Sequence, residues 1–303
     1  MIPTHRRYEY SVIKERPDYT WPEGKRLAFY AVTNIEFFAF GAGDVALDAA
    51  VIDAPPTQRN YAWRDYGNRV GIWRLFDLFD QLKLPAAHNV NSLLYQFHPQ
   101  IFGPIRARGD EIIGHGRTNS ELVKGKWEDD ERHIIREATE TITRNEGNAP
   151  QGWLNGSGAQ TAVTVDLLKE AGYTYMMDWP CDDQPIWIRT RSGPILSVPY
   201  SFEVNDTIIA IRRQHSGREF ADMLVDQFDE MLEQCIDQPL VCSVPLHPFV
   251  AGQPFRLRPL RAALKHCLEH KHKDRVWFTR PGEIARYCYA LPPGVLCGEG
   301  PAP

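Results

Sequence analysis

Short apolar runs of strand length alternate with amphipathic helical stretches about seven times along this chain, and that alternation most restricts its fold. The runs are LAFYAVTN (27–34), AAHNV (86–90), EIIGH (111–115), GWL (152–154), YTYMMD (173–178), ILSVPY (195–200), PLVCSVPL (239–246) and VWFT (276–279). Between them apolar residues recur at helical spacing, as at Val70, Trp73, Phe76, Phe79 and Leu82 and in the charged stretch 128–146. Further helices are expected at 92–107, 161–171, 218–236 and 259–270 and from Pro281. Such repetition predicts an α/β fold, a parallel sheet with right-handed crossovers, most simply barrel-like. The chain has 303 residues, and α/β barrels run to that length as one unit, so 1–303 is read as a single domain. Residues 1–24 read as a polar surface arm, 290–303 as a tail, and 37–62 as a long loop of the kind that is often functional.

The formal net charge of −5 argues against nucleic acid and anionic membrane as partners, leaving a small molecule as the expected ligand. No run approaches the roughly 18 apolar residues of a membrane span. The first residues, MIPTHRRYEYSVIKERPDY, lack the apolar centre of a secretory signal, so a cytoplasmic protein is expected. The six cysteines show no CxxC spacing, and several lie in apolar runs, as reduced buried thiols do.

In barrels of this type the site lies at the C-terminal ends of the strands. Asn34 and Glu36, His115, Asp178 and His247 all fall there. Glu36 follows a strongly apolar strand, where a carboxylate must be paired, hydrogen-bonded or protonated; base, ligand and substrate anchor are its functional readings. His115 sits in Gly-His-Gly, with open space around the imidazole, and Asn119 lies near it if the chain makes one turn. Asn is a weak zinc ligand but can orient a substrate carbonyl. His247, in LHPFVAGQPFR, is placed to protonate a leaving nitrogen. In the segment from Asp178 to Pro185, dense in carboxylates with Asp178, Asp182 and Asp183, one of them could hold a histidine or an arginine in place, and Asp182 or Asp183 could equally cap a turn. Arg64, beside Tyr66 in WRDYG, could bind a polar substrate group, and Asp65 could cap the following helix. His266, His270 and His272 in KHCLEHKHK are expected to be a basic solvated helix end.

With these motifs the chain resembles the polysaccharide deacetylase superfamily, the NodB-homology or carbohydrate esterase family 4 fold, over about residues 20 to 290. The resemblance implies a distorted (β/α)7 barrel. The family carries an acidic pair after the first strand, His-x3-His after the third and a late strand ending in histidine. These fall on Asn34-Ile35-Glu36, on His115 with Asn119, and on Leu246-His247. RDYGNRVGIWRLFDLFD, GHGRTNSE, Gly152-Trp153, DWPCDDQP and HPFVAGQPFR look like the branch of metal-independent allantoinases and cyclic imide hydrolases. That branch implies a substrate pocket drawing on Trp153 and a homo-oligomer, commonly a tetramer. Aromatic residues in the 8–40 region and near the C-terminal tail could form its interface.

The departures bear on metal. Glu36 and His115 are good ligands and Asn119 is not, short of the three protein ligands usual for catalytic zinc. No cofactor, or a divalent metal such as zinc bound weakly through Glu36, His115 and Asn119, is therefore expected. The favoured reading is a hydrolase of non-peptide C–N bonds that opens a small cyclic amide, imide or ureide. Glu36 or His115 would activate water, Asn119 and Arg64 would stabilise the oxyanion, and His247 would protonate the nitrogen. The alternatives are a metal-dependent sugar or polysaccharide N-deacetylase and a non-catalytic ligand-binding barrel.

Overall fold

A computed structural model describes residues 5–41 and 58–301. Nine strands form one sheet: β1 Leu27–Ile35, β2 Ala86–Val90, β3 Glu111–Gly114, β4 Gly152–Trp153, β5 Tyr175–Met176, β6 Ile186–Ile188, β7 Ile195–Ser197, β8 Leu240–Leu246 and β9 Val276–Phe278. Its order is β6-β7-β5-β4-β3-β2-β1-β8. β1 is the axis. All nine of its residues are buried, as expected of a continuous apolar run covered on both faces. One edge of β1 pairs with β8 over Leu27–Thr33; the other is shared by β9 at Leu27–Phe29 and β2 at Ala31–Ile35. Every pairing is parallel except β6 with β7, an antiparallel hairpin that the alternation did not predict. The sheet curls as a distorted barrel does. Among the described residues β8 and β6 do not pair, and the gap between these ends is crossed by Val241 N–H donating to the Asp183 carbonyl at 2.9 Å.

The helices follow local chemistry. Gly217–Gln234 starts on a capping box, Ser216 bonding the Glu219 amide and Glu219 reaching back to Ser216. Glu128–Glu146 opens with four acidic residues at the positive end of its dipole and stops at Gly147, whose φ is 80°. The first long helix begins earlier than its periodicity predicts. Gln58–Tyr66 is helical, a π-turn follows at Gly67–Gly71, and Ile72–Leu82 continues. Asp65 is therefore inside a helix and caps nothing; it faces His98 at 3.5 Å and Arg69 at 3.9 Å. The part of the expected 37–62 loop at 42–57 lies outside the described residues, as do the ends of the arm and the tail.

The π-turn bears on the site. A Cβ on Gly71 would fall 2.0 Å from the Pro248 carbonyl oxygen, and one on Gly252 would fall 2.3 Å from Gly71 Cα. Only glycine lets the turn close against the short helix Pro248–Ala251, which carries the chain away from His247. That contact fixes where β8 delivers its histidine.

Candidate active site

The C-terminal ends of β1, β3 and β8 bring Glu36, His115 and His247 together. Glu36 Oε1 lies 3.7 Å from His115 Nε2 and 3.7 Å from His247 Nε2, longer than hydrogen bonds but close enough for strong attraction. Burial acts to raise the Glu36 carboxyl; the two imidazoles and Arg64 outweigh it and hold it below the usual range. Glu36 is thus a carboxylate at neutral pH.

Each histidine is fixed by what its far nitrogen touches. His115 Nδ1 lies 2.7 Å from the Leu154 carbonyl, which only accepts, so Nδ1 carries the proton. Whenever the ring is neutral, Nε2 is therefore the nitrogen that offers a lone pair, and it makes no hydrogen bond among the described residues. His247 Nδ1 lies 2.7 Å from Asp206 Oδ1, and the His247 amide donates to Asp206 Oδ2 at 2.8 Å. Burial acts to lower His247, but Asp206 and Glu36 prevail and raise it, favouring the imidazolium. One ring is poised to take a proton and the other to give one.

An asparagine network surrounds them. Asn34 donates to the Tyr200 hydroxyl at 2.9 Å and accepts from Asn89 at 2.9 Å. Tyr200, raised by burial, keeps its own proton to donate. Asn91 donates to the His115 carbonyl at 2.5 Å and to Asn119 Oδ1 at 3.0 Å. Asn119 Nδ2 donates to Glu36 Oε1 at 2.6 Å. Asn155 Oδ1 accepts from Trp153 Nε1 at 2.9 Å; indole N–H is only a donor, so the orientation of this amide is fixed. Asn155 Nδ2 is buried with no partner among the described residues. Asn34, Asn119, Asn155 and Tyr200 line a cavity of about 200 Å³ with Phe38, Ile208, Phe249 and Arg212.

The donor set does not fit a zinc ion held by three protein ligands. Asn119 turns its NH2, not its oxygen, toward Glu36, and its oxygen is used by Asn91. His115, His247 and Glu36 are not among the groups whose ligand atoms all lie within 4.8 Å of one another. The two Nε2 atoms therefore flank Glu36 more widely than the roughly 3.3 Å edge of a tetrahedral zinc site with 2.0–2.1 Å bonds.

Of the residues singled out in the sequence, Asn34, Glu36, His115, Asn119 and His247 line this cavity. The others lie outside its lining. Arg64 is buried over the Phe38 ring, 3.9 Å from its centroid, and burial lowers it to about 10. Tyr66 bonds Arg74 at 2.5 Å. Trp153 supports Asn155 from behind, and so does Asp178, which accepts the Asn155 amide at 2.8 Å. Asp183 lines a separate groove with Asp182, Ser201 and Glu203. The carboxylate that orients His247 is Asp206, whereas in the 178–183 segment Asp182 holds an arginine, Arg16, by two bonds of 2.8 and 2.7 Å. Asp206, Tyr200 and Asn155 escaped sequence reasoning. Asp206 carries one signal, an acidic residue two positions before the apolar run Ile208–Ile211.

Asp178 is half-buried, and desolvation pushes its carboxyl up to about 7. A folded-state value above the unfolded one means that the native state holds the extra proton between about pH 4 and 7. Stability falls as pH rises through that window. Asp178→Asn should raise the melting temperature, with a larger gain at pH 8 than at pH 5, read by circular dichroism. Equal gains at both pH values would show that the carboxyl is not the cause.

No family model matches the chain. A Schizosaccharomyces pombe protein that carries a polysaccharide deacetylase name is 25% identical over 280 residues, spanning 87% of this chain and 85% of its own. The crystal structure of Puue allantoinase matches at 28% identity and a TM-score of 0.80, covering 89% of this chain and 93% of that one. A Pseudomonas aeruginosa PAO1 structure with a polysaccharide deacetylase name matches at 28% and 0.79 over the same shares. In sequence and fold the chain is thus similar to polysaccharide deacetylases and to Puue allantoinase, hydrolases of carbon–nitrogen bonds.

Proposed function

We propose that this protein hydrolyses the C–N bond of a small cyclic amide, imide or ureide without a catalytic metal. The observation that carries the reading is Glu36 flanked by two imidazoles of opposite readiness, in a cavity of about 200 Å³. That volume is below the 300–1,000 Å³ usual for drug-sized ligands and suits a single small ring. The likeness to allantoinase supports the same substrate class.

His115 Nε2 takes a proton from water, and the oxygen adds to the ring carbonyl carbon. An imidazole is a better base here than Glu36, whose carboxyl is held low. Asn155 Nδ2 and the Tyr200 hydroxyl donate to the carbonyl oxygen as it gains charge. Asn119, committed to Glu36, holds that carboxylate in place. His247 delivers its Nε2 proton to the nitrogen as the C–N bond breaks, and the ring opens to a carboxylate. Glu36 faces both rings and offsets the positive charge as it leaves one and gathers on the other.

A second reading, N-deacetylation of an acetylated sugar, is favoured by the names of the yeast and Pseudomonas relatives. Turnover on allantoin, succinimide, dihydrouracil and N-acetylated chito-oligosaccharides separates the two. Ring opening at roughly 1 s⁻¹ or faster with no acetate released is expected. Acetate release with every ring left intact would overturn the proposal in favour of deacetylation.

A further inference from the structure

Away from the barrel mouth, two packed helices bring three metal-binding side chains together. Asp229 lies on Gly217–Gln234; His266 lies in the last turn of Pro254–Glu269, and His270 caps it. Four residues apart, the two imidazoles share one helix face, with ring centroids 5.4 Å apart. Asp229 Oδ1 lies 2.7 Å from His266 Nε2 and 3.8 Å from His270 Nε2. One ligand atom from each residue lies within 4.8 Å of the others, the one such group among the described residues.

Zinc bonds to nitrogen and oxygen of about 2.0–2.1 Å place neighbouring tetrahedral ligands about 3.3 Å apart. The observed 2.7 and 3.8 Å straddle that edge, each about half an ångström from it, and the two imidazole nitrogens lie within 4.8 Å of each other. Phe228 packs against both imidazoles, with centroids 6.4 and 5.9 Å away, and covers one side. The side chains of Asp229 and His266 are 40% and 38% exposed, which gives an ion access and leaves room for water as fourth ligand. One contact opposes binding. His270 Nδ1 accepts the His272 amide at 3.2 Å, whereas a ring bound through Nε2 carries its proton on Nδ1. That bond is long and lies beyond the helix end, so releasing it is a small cost. The sequence alone suggested a solvated basic helix end here; Asp229, 37 residues upstream of His266, is what changes the reading.

We propose that Asp229, His266 and His270 form a structural-type zinc site that ties these two helices together. It stands apart from the catalytic groups and is independent of the substrate proposed above. A protein preparation could therefore carry stoichiometric zinc that takes no part in hydrolysis.

The test titrates the chelator-treated full chain with zinc chloride alone, followed by calorimetry and thermal melting. One equivalent should bind and raise the melting temperature. His270→Ala and the nearly isosteric Asp229→Asn should each weaken binding by roughly tenfold or more and abolish the thermal shift. Far-ultraviolet circular dichroism confirms that they are folded, and zinc-free turnover should be unchanged. Binding of undiminished strength in folded Asp229→Asn, or no binding to the wild-type chain at micromolar zinc, would overturn the site.

Discussion

His115→Ala lowers kcat by roughly 10²–10⁴-fold, the usual contribution of a positioned base, and moves KM only a few-fold. The effect is chemical because the fold survives. The substitution leaves the Leu154 carbonyl without the donor it has at 2.7 Å, a loss of about 1–3 kcal/mol. That is smaller than the 5–15 kcal/mol stability of a typical domain. The check is steady-state kinetics on a preparation whose circular dichroism matches wild type. A folded variant with near-normal kcat would remove His115 from the chemistry and leave Glu36 as the base.

The second large effect lies one residue away from the reacting atoms. Asp206 accepts both the ring Nδ1–H and the amide of His247, and it raises the histidine against the opposing pull of burial. A general acid works only while protonated, so activity falls as pH rises through its pKa. Asp206→Asn removes the charge that raises that pKa. It also presents an NH2 to one of two donors. The alkaline limb of kcat/KM should move to lower pH, and kcat should fall by roughly 10²-fold. A drop in kcat with an unmoved alkaline limb would mean that Asp206 only holds the loop and does not tune the acid.

What the sequence discloses follows a physical pattern. Glu36, His115 and His247 each come directly after an apolar run long enough to be a buried strand, and strand direction places all three at one end of the sheet. Their partners have no such address. Tyr200 lies in irregular chain after β7 and Asp206 starts a short helical stretch that runs into a π-turn at Ile208–Arg212, and their roles exist only through contacts with His247 and Asn34. Asn155 looks like an ordinary loop residue until the Trp153 indole fixes its amide. The same holds for elements. The helix Gln58–Tyr66 is hidden because its buried residues are polar, Asn60 and Arg64, so no apolar period marks it. β6 is three residues long and follows Pro185, which interrupts the run. Asp229 and His266 are 37 residues apart, and only the packing of two helices makes them neighbours.

In the proposed reaction Glu36, His115 and His247 open the ring with no metal among them. Its most direct test is turnover by chelator-stripped protein, repeated after zinc is restored. His270→Ala serves as the parent, so that zinc at the peripheral cluster does not enter the reading. Opening of a small cyclic amide, imide or ureide is expected to survive stripping, and zinc is expected not to increase it. Hydrolysis that vanishes on stripping and returns only with zinc, with acetate as product, would contradict it.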